Sequence, residues 1–450
     1  ALALWASISE LSDPSTAIFG GAATSDGLGH VLSATISLAL LLSCLVSFGY
    51  LEALNATRGE FYALALFAGA GMCILAQATD LVVIFIALEV MSLSVYCLTA
   101  YLRRKRPVEA AFKYFVLGSL ASAFYLYGAA LAFGATGSTR LADLTTAVHS
   151  MNGTNTGLLL TAAAMLAAGF AFKVAAVPFH MWLPDVYEGA PAPVTGFMAA
   201  GVKAAAFATL ARILVSGYGD ASAALGPNGW QHVIEVLAGL TMLIGNVLAV
   251  PQRSVKRMLA YSSIAHAGYL LVAVASMAGG APRAEAAMGL SFYLTSYAVT
   301  VVGAFGVVAL IERKLALADK SDDLTNWAGL AEKHPLLAAA MALFMVSLAG
   351  IPPTAGFMAK LTVFRSAISA GLTGLAVFGV LTSAAGLYYY LRVIVYLYMH
   401  PAEDKEPVVG GKLLTAGLAL AGCAALVMWM GLQPGAFTTL TQNALANFGR

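Results

Sequence analysis

Apolar stretch follows apolar stretch along this chain, each about 18–25 residues long, the length a helix needs to cross a ~30 Å hydrocarbon layer. Strands of a membrane barrel would alternate apolar and polar residues over ~10-residue segments, and these stretches do not alternate. Twelve spans are predicted, near 30–50, 60–78, 80–101, 109–134, 157–180, 193–217, 232–250, 255–278, 286–311, 335–370, 374–399 and 413–432. Only 10% of the 450 residues are charged, against ~25% in a soluble domain. The expected fold is an all-α polytopic membrane protein, a single integral membrane domain over 1–450 with no separable soluble part. A net charge of +2 offers nucleic acid no electrostatic footprint. Cys44, Cys73, Cys97 and Cys423 lie scattered in apolar segments without a C-x-x-C pair, so they read as small core residues and no metal site is expected. The opening "ALALWASIS" reads as the tail of an apolar helix, which predicts a preceding N-terminal piece. The sequons at Asn55 and Asn152 read as chance.

Two spans are irregular. The fifth contains Lys173, then Pro178 and His180, and runs into a knot of Trp182, Pro184, Asp185, Tyr187 and Glu188. Pro178 is expected to loosen the helix one turn past Lys173. The tenth is too long for one crossing and is interrupted by "AGIPPTAG" at 349–356. Proline removes a backbone donor, and a helix broken at membrane depth is tolerated only inside protein or along a cavity. Broken helices of this kind mark ion sites in transporters. The interruptions lie five spans apart, which predicts two five-helix repeats, 60–217 and 232–399, of inverted orientation because the helix number is odd. Residues 1–59 would be truncated N-terminal helices and 413–450 a C-terminal helix and tail.

Lysine and arginine set the orientation. Arg103, Arg104, Lys105 and Arg106, then Arg253, Lys256 and Arg257, then Arg313, Lys314 and Lys320, then Lys405 and Lys412 all follow odd-numbered spans. Those loops are predicted to be cytoplasmic, and with them the knot after the fifth span. Arg140 and Arg283 are the main exceptions on the other side.

Ionisable groups within spans are expensive, so each is a functional candidate. They are Glu89, Lys173, Lys203, His266 and Lys360, with Lys113 about one turn inside the fourth span. Lys113 could instead snorkel to the interface. His180 could be an interfacial residue, and His266 a neutral donor between helices. Mid-span amines with one acid among them have fewer bland explanations. An isolated ammonium in hydrocarbon gives up its proton, and a nearby carboxylate makes it keep it. At ~4 Å and an effective dielectric of ~20, that attraction is about 4 kcal/mol. A movable Glu89–Lys173 contact would therefore act as a protonation switch. Lys203 and His266 would be the next stations and Lys360 the last. Small-residue faces nearby, as in "YSSIAHAG", would leave room for water.

The stretches "FKVAAVPFHMWLPDVYEGAPAPVTGFMAAGVKAAAF", "VKRMLAYSSIAHAGYLLVA" and "SLAGIPPTAGFMAKL" resemble the antiporter-like subunits of respiratory complex I, which share ancestry with multisubunit cation/proton antiporters. "PDVYEGAP", Lys360 and "GLYYYLRVIVYLY" are most similar to the subunit N branch; the sibling subunit M usually carries glutamate at the place of Lys360. The likeness runs from about Glu60 to Gly431. It implies fourteen helices in the full bacterial form, two inverted five-helix bundles, and loss of the first helix and most of the second here. It implies a proton-translocating subunit of NADH:quinone oxidoreductase, with a subunit of a cation/proton antiporter as the alternative. Glu89 and Lys173 match the family's Glu–Lys pair, Lys203 its connecting lysine, His266 a histidine on the connecting route, and Lys360 the lysine of the exit half-channel. The resemblance further implies no cofactor in this chain, with FMN, iron–sulfur clusters and quinone held by partner subunits. Other membrane-arm subunits, including a neighbouring antiporter-like subunit, and the lipid of a bacterial cytoplasmic membrane would be its partners. Asp185 and Glu188 would shape the cytoplasmic surface or admit protons.

Overall fold

A computed structural model describes residues 1–11, 13–150, 156–219, 229–278, 283–317, 323–401, 414–445 and 448. Asn152, Lys320, Lys405 and Lys412 lie outside the described residues, as do the side chains of Arg313 and Lys314. The chain begins with α1 (Leu2–Ser9) and a small antiparallel hairpin, β1 (Thr16–Ile18) with β2 (Ala23–Ser25), an exception to the otherwise helical expectation. Then come α2 (Gly27–Ala53), α3 (Gly59–Gln77), α4 (Leu81–Thr99), α5 (Lys105–Thr136), the short α6 (Leu141–His149), α7 (Thr156–Val174), α8 (Trp182–Gly189) and α9 (Ala192–Gly217). The second set is α10 (Gly229–Ala249), α11 (Val255–Ala275), α12 (Arg283–Leu317), α13 (Leu330–Lys333), α14 (Pro335–Ala349), α15 (Ala355–Ser369) and α16 (Thr373–Met399). α17 (Leu414–Leu432) and α18 (Pro434–Leu445) follow.

Among the described residues, eleven helices are long and apolar enough to cross a membrane. The interrupted stretch expected at 335–370 supplies two half-helices, α14 and α15. The pairings of α3 with α4, α4 with α5, α5 with α7 and α8, and α9 with α3 and α7 recur in the second set. There α10 packs on α11, α11 on α12, α12 on α14 and α15, and α16 on α10 and α14. Glycine allows the closest of these approaches. A Cβ at Gly71 would meet the Met91 backbone nitrogen at 2.7 Å, and one at Gly245 would meet that of Ala265 at 2.5 Å. α9, α11 and α12 are buried almost completely, while the spans around them leave about half or more of their residues toward the surroundings. A charge on one of those three central helices is thus enclosed by protein rather than lipid.

Both broken helices end in the same way. α7 stops at Val174, before Pro178, so the proline lies beyond the helix instead of loosening it. Ala175 takes a left-handed φ of 59°, its amide bonds to Phe172, and the amide of Ala176 reaches back to Ala171 at 2.8 Å. α14 stops at Ala349 with Gly350 at φ 83°, and the amides of Gly350 and Ile351 reach back to Ser347 and Val346. Each is a Schellman ending, which satisfies carbonyls that a cut helix would leave bare. The turn after α10 meets Leu324, beyond α12, and the last part of α16 on one side: the Leu324 amide bonds to the Arg253 carbonyl, and Arg392 of α16 donates to the carbonyls of Val250 and Gln252. Lys256 is not the loop cation expected from the orientation rule. It is 1% exposed, with Nζ 2.8 Å from Glu312 and 2.5 Å from the Ala190 carbonyl.

Candidate functional site: buried amines joined by phenols and serines

The end of α7 aims Lys173 inward, where it is 2% exposed. Its Nζ donates to Ser92 Oγ at 2.8 Å and lies 5.8 Å from the Tyr96 ring centroid and 5.9 Å from those of Tyr114 and Phe172. Such ring faces attract a cation within ~6 Å. The knot after the break supports this position. Trp182 donates from its indole to the Phe172 carbonyl at 3.0 Å and stacks on Tyr114 at 4.4 Å. Glu89, on α4 one turn before Ser92, accepts a bond from Ser122 at 2.5 Å. Glu89 and Lys173 form no direct ion pair, although the carboxylate is near enough for its charge to act on the amine. Ser92 and Ser122 are the immediate partners, and sequence reasoning missed both.

Lys203 begins the turn after a π-helical segment, Met198–Val202, in α9. π-turns inside α-helices often occur at functional sites. Lys203 is 1% exposed, donates to the Ser263 carbonyl on α11 and lies 5.3 Å from the Tyr297 ring centroid. The Ser263 hydroxyl makes no hydrogen bond of normal geometry, yet it stands beside the phenols of Tyr187 and Tyr297. Tyr187 in turn is close to Tyr114, which covers Lys173.

His266, one turn along α11 from Ser262 and Ser263, is held at both nitrogens. Nδ1 is 2.7 Å from the Tyr293 hydroxyl and Nε2 3.1 Å from the Tyr390 hydroxyl. An imidazole so held can take a proton at one nitrogen and release one from the other. Tyr390 also bonds Ser262, and its neighbour Tyr389 donates to Asn246 at 2.9 Å, whose amide donates to Tyr269 at 3.0 Å. A void of about 10 Å³, large enough for about one water, lies between His266, Tyr293, Tyr297, Thr300 and Ser347. Lys360 then closes the series beneath the Tyr269 ring, 5.4 Å from its centroid. All three of its N–H donors are used: Leu348 O at 3.0 Å, Ala349 O at 2.8 Å and Ser383 Oγ at 2.8 Å. The first two are terminal carbonyls of α14, where the helix dipole favours a cation. The second break therefore makes a seat for an ammonium group.

Lys113 is placed elsewhere. Its side chain is 43% exposed and pairs with Asp185 at 2.9 Å and Glu109 at 3.0 Å. Arg257 joins from α11, 2.8 Å from Asp185 and 3.0 Å from Glu188. Partial burial pushes the Asp185 carboxyl up, but bonds and charge from Lys113 and Arg257 outweigh it and hold it below the usual range. Exposed pairs of this kind contribute about 0–1 kcal/mol. Lys113→Ala is therefore expected to leave proton movement intact, measured as protons moved per NADH oxidised in sealed vesicles. His180 lies beyond the end of α7, half-buried, with Nδ1 unpartnered, and burial lowers its basicity.

Comparison with known proteins places this geometry in a family. A family model described as "NADH:quinone oxidoreductase/Mrp antiporter, TM" matches residues 78–386. The NADH-quinone oxidoreductase subunit N of Myxococcus xanthus is 46% identical over 470 residues, covering 98% of this chain and 89% of that one. Subunit N 1 of Sorangium cellulosum is 48% identical over 400 residues, covering 87% and 77%. Among solved structures, a chain of respiratory complex I from Thermus thermophilus with bound Aureothin superposes with a TM-score of 0.79 at 36% identity, covering 98% of this chain and 92% of that one. A chain of the Mrp complex from Dietzia sp. DQ12-45-1b shares the fold at 24% identity, with a TM-score of 0.84 over 100% of this chain and 90% of that one. With its broken helices and buried amines set beside these relatives, the chain belongs to the antiporter-like membrane subunits of NADH–quinone oxidoreductase, on their subunit N branch.

Proposed function

We propose that this chain moves protons across the bilayer along Glu89, Lys173, Lys203, His266 and Lys360, driven by quinone reduction in other subunits of the same complex. FMN, iron–sulfur clusters and quinone would belong to those partners, and this chain would be a non-redox translocase subunit. Its seat would be a bacterial cytoplasmic membrane, beside other membrane-arm subunits that include a second antiporter-like chain. The observation that carries the reading is the continuity of exchangeable groups. Each buried amine donates to an oxygen, and serines and phenols occupy the intervals up to Lys360. The recurring helix pairings support reading 60–217 and 232–399 as two repeats, and the odd helix number of each would set them in opposite orientation.

A proton held on Lys173 would be stabilised by the Glu89 charge and released when that carboxylate is drawn away. It would pass toward Lys203 through the Tyr187 and Ser263 hydroxyls, and then across the imidazole of His266. Lys360 would hold it on the terminal carbonyls of α14 until discharge. Tyr390→Phe removes the hydroxyl at His266 Nε2 while keeping the ring. It is expected to slow proton movement at a cost of about 2 kcal/mol in stability, since the hydroxyl's two hydrogen bonds, to His266 and Ser262, contribute about 1 kcal/mol each. Unchanged protons per electron pair in that variant would remove Tyr390 from the route. The other reading, a cation/proton antiporter subunit, would require only small membrane partners. Purification of the native complex separates the two: flavin and iron–sulfur subunits on the same particle support the respiratory role, and their consistent absence overturns it.

A further inference from the structure

At the end of the molecule assigned to the cytoplasm by its basic loops, a groove of about 550 Å³ opens between the α2–α3 turn and the α4–α5 turn. Arg58, Arg103 and Arg104 line its mouth, with Glu60 as the accompanying carboxylate. Among the described residues, none of the three arginines takes part in an ion pair. All three are exposed, and Arg58, Arg103 and Glu60 are near enough to Tyr101 for their charges to act on it. Deeper in the groove the walls become apolar, through Leu64, Cys97 and Val108. The apolar surface continues along the outward faces of the same helices, with Leu93 51% exposed one turn before Cys97 and Phe112 66% exposed one turn after Val108.

A cationic rim directly above an apolar wall, at the depth where span ends meet water, matches a molecule with an anionic head and hydrocarbon tails. We propose that this groove binds one anionic phospholipid of the leaflet on that side, with its phosphate between the guanidiniums and its upper acyl chain along Leu64, Cys97 and Leu93. Guanidinium forks suit phosphate because they can give two parallel N–H donors to its oxygens. Basic pockets between membrane helices on the cytoplasmic side recognise anionic headgroups in this way. Free phosphate would use the arginines and leave the apolar wall bare. A neighbouring protein helix would cover the wall, but it would need acidic side chains to meet three arginines.

The test uses the chain in its native membrane complex, placed in nanodiscs that contain a phosphatidylglycerol or a phosphatidylcholine with a diazirine in the acyl chain. Cross-links are mapped by peptide mass spectrometry. Segments 54–64 and 97–108 should be labelled more by the anionic lipid. Near a membrane surface a basic residue contributes ~1 kcal/mol to anionic-lipid binding, so each Arg→Gln change should reduce that preference about fivefold. Arg58→Gln/Arg103→Gln/Arg104→Gln should abolish it. If the triple variant does not assemble, Arg104→Gln alone reads the same fivefold step. Equal labelling by the two lipids overturns the proposal. So does loss of labelling when inorganic phosphate is added at millimolar concentration, which would identify a free-anion site. A groove unlabelled by either lipid overturns it as well.

Discussion

Lys203→Ala in the assembled complex is expected to lower proton flux through this chain by ~10²–10⁴-fold, the contribution of a positioned proton-transfer group. Lys203 is the amine between the Lys173 cluster and the His266 cluster, and its stem is enclosed by α9, α11 and α12. The measurement is the number of protons moved per NADH oxidised by reconstituted proteoliposomes, read with a pH-sensitive dye, alongside quinone reductase activity. Other pumping subunits would continue, so the ratio should fall by this chain's share. Alanine also leaves a cavity, and Lys203→Met separates that effect because it keeps the stem and removes only the titrating amine. A structural lysine would tolerate methionine. An unchanged ratio in Lys203→Met, with normal assembly and quinone reduction, would exclude Lys203 from the route.

The ionisable members of the row were legible in the sequence because hydrocarbon makes a buried amine expensive and therefore rare. Glu89, Lys173, Lys203, His266 and Lys360 were identified on that ground, and four of them are nearly inaccessible in the fold. Their partners were not legible. Ser92, Ser122, Ser263 and Ser383 are ordinary small residues in apolar helices, and nothing local separates a serine that bonds a lysine from one that bonds its own helix. Tyr293 and Tyr297 stand one turn apart on α12, and Tyr389 and Tyr390 are adjacent in "GLYYYLR". A phenol buried in a span needs a polar partner, which is a signal that could have directed attention to His266. Whether Glu89 and Lys173 touch was not legible either; in the fold each bonds a serine instead, Glu89 to Ser122 and Lys173 to Ser92. Prolines marked both interruptions, but the helix ends are set by the left-handed residues Ala175 and Gly350. Only the second is a glycine that sequence could have flagged. The π-turn before Lys203 has no sequence signature of this kind. Lys256 was misread because a basic residue near a span end looks the same whether it faces water or a buried Glu312.

Arg212→Met is expected to destabilise the folded chain by about 3–5 kcal/mol, the range for breaking a buried ion pair by removing one partner. Arg212, near the end of α9 and 2% exposed, grips Asp26 with two parallel bonds at 2.7 and 2.5 Å and donates from Nε to the Ala76 carbonyl at 2.8 Å. Asp26 caps α2 by accepting the Gly29 amide at 2.8 Å. One guanidinium therefore joins the start of α2, the end of α3 and the end of α9, at the side opposite the arginine groove. Burial pushes the Asp26 carboxyl up, but the Arg212 charge, the bonds it donates and the Gly29 amide outweigh this and hold it below its ordinary 3.8. A carboxyl whose folded value lies below its unfolded one contributes stability at pH above about 4 and loses it as pH falls through the folded value. Acid should therefore weaken the native chain more than it weakens Asp26→Asn. In Asp26→Asn/Arg212→Met, neither charge is left unpaired, and replacing both members of a buried pair is often near neutral. The double variant should recover a large part of the loss. Thermal and denaturant unfolding of the full chain in detergent, followed from pH 7 down to pH 3, reads all three variants. If the single and double variants are equally destabilised, the pair is not what holds these three helix ends together. Recovery in the double variant together with normal proton movement would separate this clasp from the row of buried amines, since Arg212 and Lys203 both act through α9 but at opposite ends of its segment Lys203–Arg212.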